Sequence, residues 1–121
     1  MTARRRDPSD LLPLTPAMLH VLLSLAESDK HGYAIMKEVA SRTRGEVDLS
    51  TGTLYGLIKR LLADGLIVPA LRRPAQASDD ERRRYYRLTD FGREVAAAEA
   101  DRLDRIVSTA RSRRLLKRSV G

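Results

Sequence analysis

The sequence predicts a mainly α-helical fold with a small two-stranded β wing, and three observations carry that expectation. Apolar residues recur at helical spacing in three closely spaced segments after Thr15. The period then shortens to that of strands on either side of a charged loop. A last, long helical pattern begins at Thr89 or Asp90. With 121 residues the chain holds one compact domain and is too short for two ordinary ones.

Residues 1–14 form an N-terminal arm, rich in arginine and interrupted by Pro8 and Pro13, with Leu11, Leu12 and Leu14 only at its end. They suit an irregular start that becomes a docking segment. At Thr15-Pro16 the chemistry changes, because a threonine hydroxyl can cap the free amides of a helix start and proline lacks only a donor that position does not need. This first helix is expected to run to about Ser28, apolar almost all round, as a central helix would be. Ser28-Asp29-Lys30-His31-Gly32 is a polar break, and Tyr33, Ile35, Met36, Val39 and Ala40 pattern a second helix. Ser50 or Thr51 can cap a third helix through about Asp64, with Leu54, Leu57, Ile58, Leu61 and Leu62 inward and Gly65 at the stop. Leu66 to Leu71 and Arg84 to Leu88 are strand-like and flank the exposed loop of the wing. One of Tyr85 and Tyr86 should pack inward, since strand side chains alternate.

The helical body and wing thus occupy 15–89, and 90–121 holds the final helix with a basic tail. Glu99 with Arg102 and Asp101 with Arg105 place opposite charges at helical spacing. Val95, Glu99, Leu103, Ile106 and Ala110 lie near one stripe, beside Val107. A long helix closing a three-helix body has no intrachain partner left for such a stripe, so a second copy is the economical cover. Leu12 and Leu14 of the arm are assigned to the same contact. The alternative is that the helix folds back onto the first one.

Net charge is +7, yet Arg4, Arg5 and Arg6 with Arg111, Arg113, Arg114, Lys117 and Arg118 account for all of it. Any nucleic-acid role must therefore rest on local pattern. The richest stretch runs from Ser50 through Thr51, Gly52, Thr53, Leu54, Tyr55 and Gly56 to Lys59 and Arg60. Its first turn is small and hydroxylated, and Gly56 inside a helix costs about 1 kcal/mol against alanine. Close approach of another surface, such as a DNA backbone, is one compensating reason; tight packing within the chain is the other. Thr51, Tyr55 and Lys59 share the face opposite the leucines. Arg82, Arg83, Arg84 and Arg87, with Arg72 and Arg73 across the loop, give the wing six arginines that suit a phosphate backbone, or else protect an edge strand from aggregation.

His31-Gly32-Tyr33-Ala34-Ile35, Gly52-Thr53-Leu54-Tyr55, Arg60-Leu61-Leu62-Ala63-Asp64-Gly65-Leu66-Ile67 and Arg84-Tyr85-Tyr86-Arg87-Leu88-Thr89 occur in the order seen in PadR-like transcriptional regulators, and the chain resembles that family from about Leu14 to Ala110. The resemblance implies a winged helix-turn-helix whose long last helix serves dimerisation, with repression at a palindromic operator on double-stranded DNA. It makes Ser50 to Lys59 the recognition helix, Tyr33 a phosphate contact from the second helix, and Arg82, Arg83 and Arg84 wing contacts. The single final helix resembles the smaller subgroup of the family. Some relatives bind a flat hydrophobic effector, which here would sit near Met18, Leu22 and the final helix.

The sequence points away from an enzyme. With no cysteine there is no thiol nucleophile, disulfide or cysteine-ligated zinc. His20, in an apolar helix, suits a packed or hydrogen-bonded side chain better than a base. Asp79-Asp80-Glu81 sits among arginines that suppress cation affinity, and no phosphate-binding glycine loop is present. Neither a metal nor a cofactor is expected. Without a run of about 18 apolar residues or a leader at Met1, a cytoplasmic protein with no membrane partner is expected. The competing function is a winged-helix interaction module that offers its last helix to another protein and never reads DNA.

Overall fold

A computed structural model describes residues 6–70 and 84–117. Arg82 and Arg83, and the charged loop between them and Leu71, lie outside the described residues.

Helix α1 spans Pro16–Glu27, and the Thr15 hydroxyl accepts from the Met18 amide at 3.1 Å. Its far end is closed by Lys30, whose Nζ donates to the Ser24 carbonyl at 2.7 Å, to Glu27 and to Ser28. Helix α2 spans Gly32–Arg42 and is capped by His31, whose Nδ1 accepts from the Ala34 amide at 3.2 Å. Helix α3 spans Thr51–Ala63. The Ser50 hydroxyl accepts from Thr53 N at 3.1 Å at its start, and Gly65, at φ +76°, lets Leu66 N reach the Leu61 carbonyl at its end.

The polar break after α1 is more than a turn. Lys30–His31 forms a short strand, β1, which pairs antiparallel with β3, Tyr85–Leu88. Strand β2, Ile67–Ala70, pairs with the other edge of β3, from Ile67 opposite Leu88 to Ala70 opposite Tyr85. The expected two-stranded wing is therefore a three-stranded sheet in the order β1-β3-β2. Two residues are too few to show a period, and what they supply is backbone donors and acceptors to an open edge. Alternation along β3 buries Tyr86 and Leu88 and leaves Arg87 outside.

Helix α4 spans Asp90–Ser112, and the Thr89 hydroxyl accepts from Gly92 N at 2.8 Å. One core joins all of these elements through Val21, Leu22, Ile35, Val39, Leu54, Leu61, Ile67 and Val95. At about 1.5–3 kcal/mol for each fully buried aliphatic side chain, this shared core fixes α3 and the sheet as one body.

The stripe along α4 divides in two. Val95, 0 % exposed, and Leu14, 8 %, belong to the chain's own core, which corrects their assignment to a contact between copies. Beyond Glu99 no described residue is buried. Physically, a 23-residue helix is about 33 Å long, more than the body beside it can cover, so its first turns close the core and its last turns do not. Glu99 marks the changeover: its buried carboxylate accepts from Leu14 N at 3.1 Å and from Arg102 Nε at 2.6 Å. Arg102 holds the Glu99 carboxyl below its ordinary range, against the opposing effect of burial. The second expected pair, Asp101 with Arg105, is also formed. The arm, with a 3-10 turn over Pro8–Leu11, lies against α4, and Arg6 sits 4.5 Å above the Phe91 ring.

Candidate nucleic-acid interface

Helical periodicity sorts α3 into two faces. Leu54, Ile58 and Leu61 point into the core, while Thr51, Gly52, Thr53, Tyr55, Gly56, Lys59 and Arg60 are exposed on the other side. Ser50 is a cap more than a free contact, because its hydroxyl accepts from Thr53 N and donates to Thr53 Oγ1 at 3.0 Å. The first intrahelical bond runs from Leu54 N to Ser50 O, so the amides of Thr51 and Gly52 precede the ladder, at the positive end of the helix dipole.

Both glycines of this face border open space. A Cβ added at Gly52 or Gly56 would meet no heavy atom of the described residues within 4 Å, so packing against those residues requires neither glycine. Tyr55 differs from its neighbours. Although 47 % exposed, its hydroxyl lies 2.7 Å from where a Cβ of Gly32 would stand, so its ring leans on the start of α2. Burial, with a smaller contribution from nearby Tyr55, pushes the Tyr86 phenol above its ordinary value.

Tyr33 opens α2 and is 55 % exposed; Lys37, one turn on, holds its ammonium 5.4 Å from the centre of the Tyr33 ring. Lys37 was missed from the sequence, where only its four-residue spacing from Tyr33 hinted at a shared face. His31 stacks against Tyr33 and meets Tyr85 edge-on at 5.2 Å between centroids, which joins α2 to the wing sheet. In the wing, Arg84 is exposed. Arg87, one of the six wing arginines, bonds the Asp29 carboxylate through its guanidinium at 2.9 Å while its side chain stays exposed. The hydrogen bond to Asp29 raises the Arg87 pKa.

The apolar positions expected between copies are distributed unevenly. Ile106 is 53 % and Val107 37 % exposed, Leu103, Ala110 and Leu12 are half-buried, and Leu115 and Leu116 extend the apolar surface past the helix end. Met18 and Leu22 are 5 % and 0 % exposed, closed in by the rest of the core. This corrects their placement on a ligand surface. His20 Nδ1 accepts from Arg42 Nη1 at 2.8 Å, and burial followed by the Arg42 charge lowers its pKa. No described helix is long and apolar enough to cross a membrane.

Residues 21–98 match the Transcriptional regulator PadR-like family. The Transcriptional regulator Rv3488 of Mycobacterium tuberculosis is 39 % identical over 84 residues, which cover 69 % of this chain and 70 % of that protein. An uncharacterized protein, X, of Lysinibacillus sphaericus is 32 % identical over 73 residues; the match takes in 60 % of this chain and 64 % of that protein, less than two thirds of its length. Among solved structures, a PadR family transcription regulator from Clostridium difficile superposes with a TM-score of 0.66 at 26 % identity, covering 78 % of this chain and 94 % of the other. A PadR-like transcriptional regulator from Bacillus cereus shares the fold with a TM-score of 0.68 at 21 % identity, over 84 % and 93 % of the two chains.

Proposed function

We propose that this chain, which belongs to the PadR-like family of transcriptional regulators, binds double-stranded DNA as a homodimer and represses from a palindromic operator. As a member of that family it is a transcription regulator and not an enzyme. The observation that carries the DNA-level reading is the outer face of α3, where two glycines that face open space among the described residues alternate with Thr51, Thr53, Tyr55 and Lys59. Such a face lets a groove wall approach the helix backbone while hydroxyls and amides of the first turn reach base edges and phosphate. Tyr33, Lys37 and Arg84, with Arg82 and Arg83, supply the flanking phosphate contacts.

The second copy is read from the last turns of α4. Among the described residues Ile106 and Val107 are exposed and Leu103 and Ala110 half-buried, and together they make an apolar face that a second copy would cover. A two-fold arrangement would pair this face with itself and carry two α3 helices into successive major grooves, about one helical turn apart. A hydrophobic effector bound at this seam would raise the melting temperature.

Selection of bound duplexes from random-sequence DNA at moderate salt tests the reading. An enriched inverted repeat is expected. No enriched sequence would leave the exposed Ile106, Val107 and Leu115 to a different protein, the reading in which the winged helix is an interaction module.

A further inference from the structure

The end of α3 and the start of α4 are joined backbone to backbone. Thr89 N donates to the Leu66 carbonyl at 3.0 Å, and the Thr89 hydroxyl donates to the Gly65 carbonyl at 2.7 Å while accepting from Gly92 N at 2.8 Å. Gly92 is buried, and a Cβ there would stand 2.0 Å from the Leu66 oxygen and 2.9 Å from its carbonyl carbon. The first turn of α4 therefore lies directly on the residue that leaves α3. Gly65, in a left-handed conformation, ties the same residue back to α3 through Leu66 N and Leu61 O. Arg6 adds a strap from the arm, its guanidinium above Phe91 and 3.3 Å from the position a Cβ of Gly65 would take.

Most helix contacts run through side chains, which can change rotamer and let two helices shift. This one runs through carbonyls, amides, a missing side chain and one short hydroxyl held at both of its ends, and it has little comparable freedom. From it we infer that Thr89 and Gly92 are positioning residues which fix the angle between the helix that reads DNA and the helix that joins two copies, and so set the half-site spacing the dimer accepts. The inference rests on the homodimeric operator reading given above. It adds a determinant of spacing to a pair of residues that touch neither DNA nor the second copy in that reading.

The N-cap of α4 thus reaches, across the wing, the residues that leave α3. Only a residue that is both donor and acceptor can bond the carbonyl leaving α3 and the amide entering α4 at once, and a hydroxyl is the smallest such group. Valine has the shape of threonine without that function, whereas serine keeps it.

The test uses duplexes that carry the selected half-site twice, with the centre-to-centre distance changed one base pair at a time. Wild type, Thr89→Val and Thr89→Ser are titrated against each, and against a single half-site. Gly92→Ala is the wrong variant, because its methyl would overlap the Leu66 oxygen and open the joint altogether. Wild type should show one optimum and lose about 100-fold away from it, as the second head ceases to bind in linkage with the first. Thr89→Val should flatten that profile to within about tenfold while holding its single-half-site affinity, and Thr89→Ser should restore the optimum. A Thr89→Val protein that melts earlier but keeps the wild-type profile overturns the joint as a spacing determinant. Indifference of wild type itself to spacing overturns the operator reading and the joint with it.

Discussion

Gly56→Ala should move folding stability and operator affinity in opposite directions. The residue lies inside α3 on its exposed face, and an added Cβ would meet nothing within 4 Å. Alanine then gains the full helix propensity difference with no steric offset, about 1 kcal/mol. For a domain of this size that corresponds to a melting temperature about 4 °C higher. On DNA the sign reverses. A methyl forced into a close contact costs about 1–3 kcal/mol, or roughly 5- to 150-fold in affinity. Thermal melting and titration of the selected operator on the same preparation read both quantities. A variant that melts higher and binds the operator as well as wild type would refute the idea that this glycine admits a groove wall, and with it the best local reason for turning this face to DNA.

Three further perturbations probe other parts of the account. Leu103→Asp with Ile106→Asp places charge on the uncovered end of α4, where burial without partners is costly; sedimentation should give a monomer whose body still melts cooperatively, and a persistent dimer would move the interface elsewhere. Thr53→Ala should weaken the selected operator by about 1–3 kcal/mol more than random DNA, whereas Lys37→Ala and Arg84→Ala should weaken both and each lower the salt slope by about one. Equal losses on the two DNAs for all three would contradict that division of labour. Glu99→Gln should destabilise the chain by about 1–2 kcal/mol at neutral pH by weakening the buried acceptor of Leu14 N. Because Arg102 depresses the folded-state pKa of Glu99, this stabilisation is complete above the ordinary carboxylate range and fades as pH falls through the folded value. Urea titrations should therefore show the gap between wild type and variant closing below about pH 4; a gap that is constant with pH would show that the charge is not what holds the arm.

Much of the fold was legible because its boundaries are chemical. Thr15, Ser50 and Thr89 were readable as caps, and each hydroxyl does accept from the amide three residues on. His31 was not, since a ring nitrogen caps less often than a hydroxyl and nothing in its neighbours marks it. Strand β1 escaped for want of length. The apolar stripe of α4 was visible as a stripe, yet spacing alone could not say where the body beneath it ends, and that boundary moved Val95 and Leu14 into the core. The outer face of α3 followed directly from helical period. Long-range partners did not: Asp29 and Arg87 are 58 residues apart, and no local pattern joins them.

The most direct measurement of the central claim is a hydroxyl-radical footprint of the protein on its selected operator. Two protected patches are expected, related by a dyad and separated by about one helical turn, with protection of both lost together in the Leu103→Asp, Ile106→Asp protein. A single patch without symmetry, or a footprint unchanged in that protein, would contradict a dimer that reads DNA with paired α3 helices.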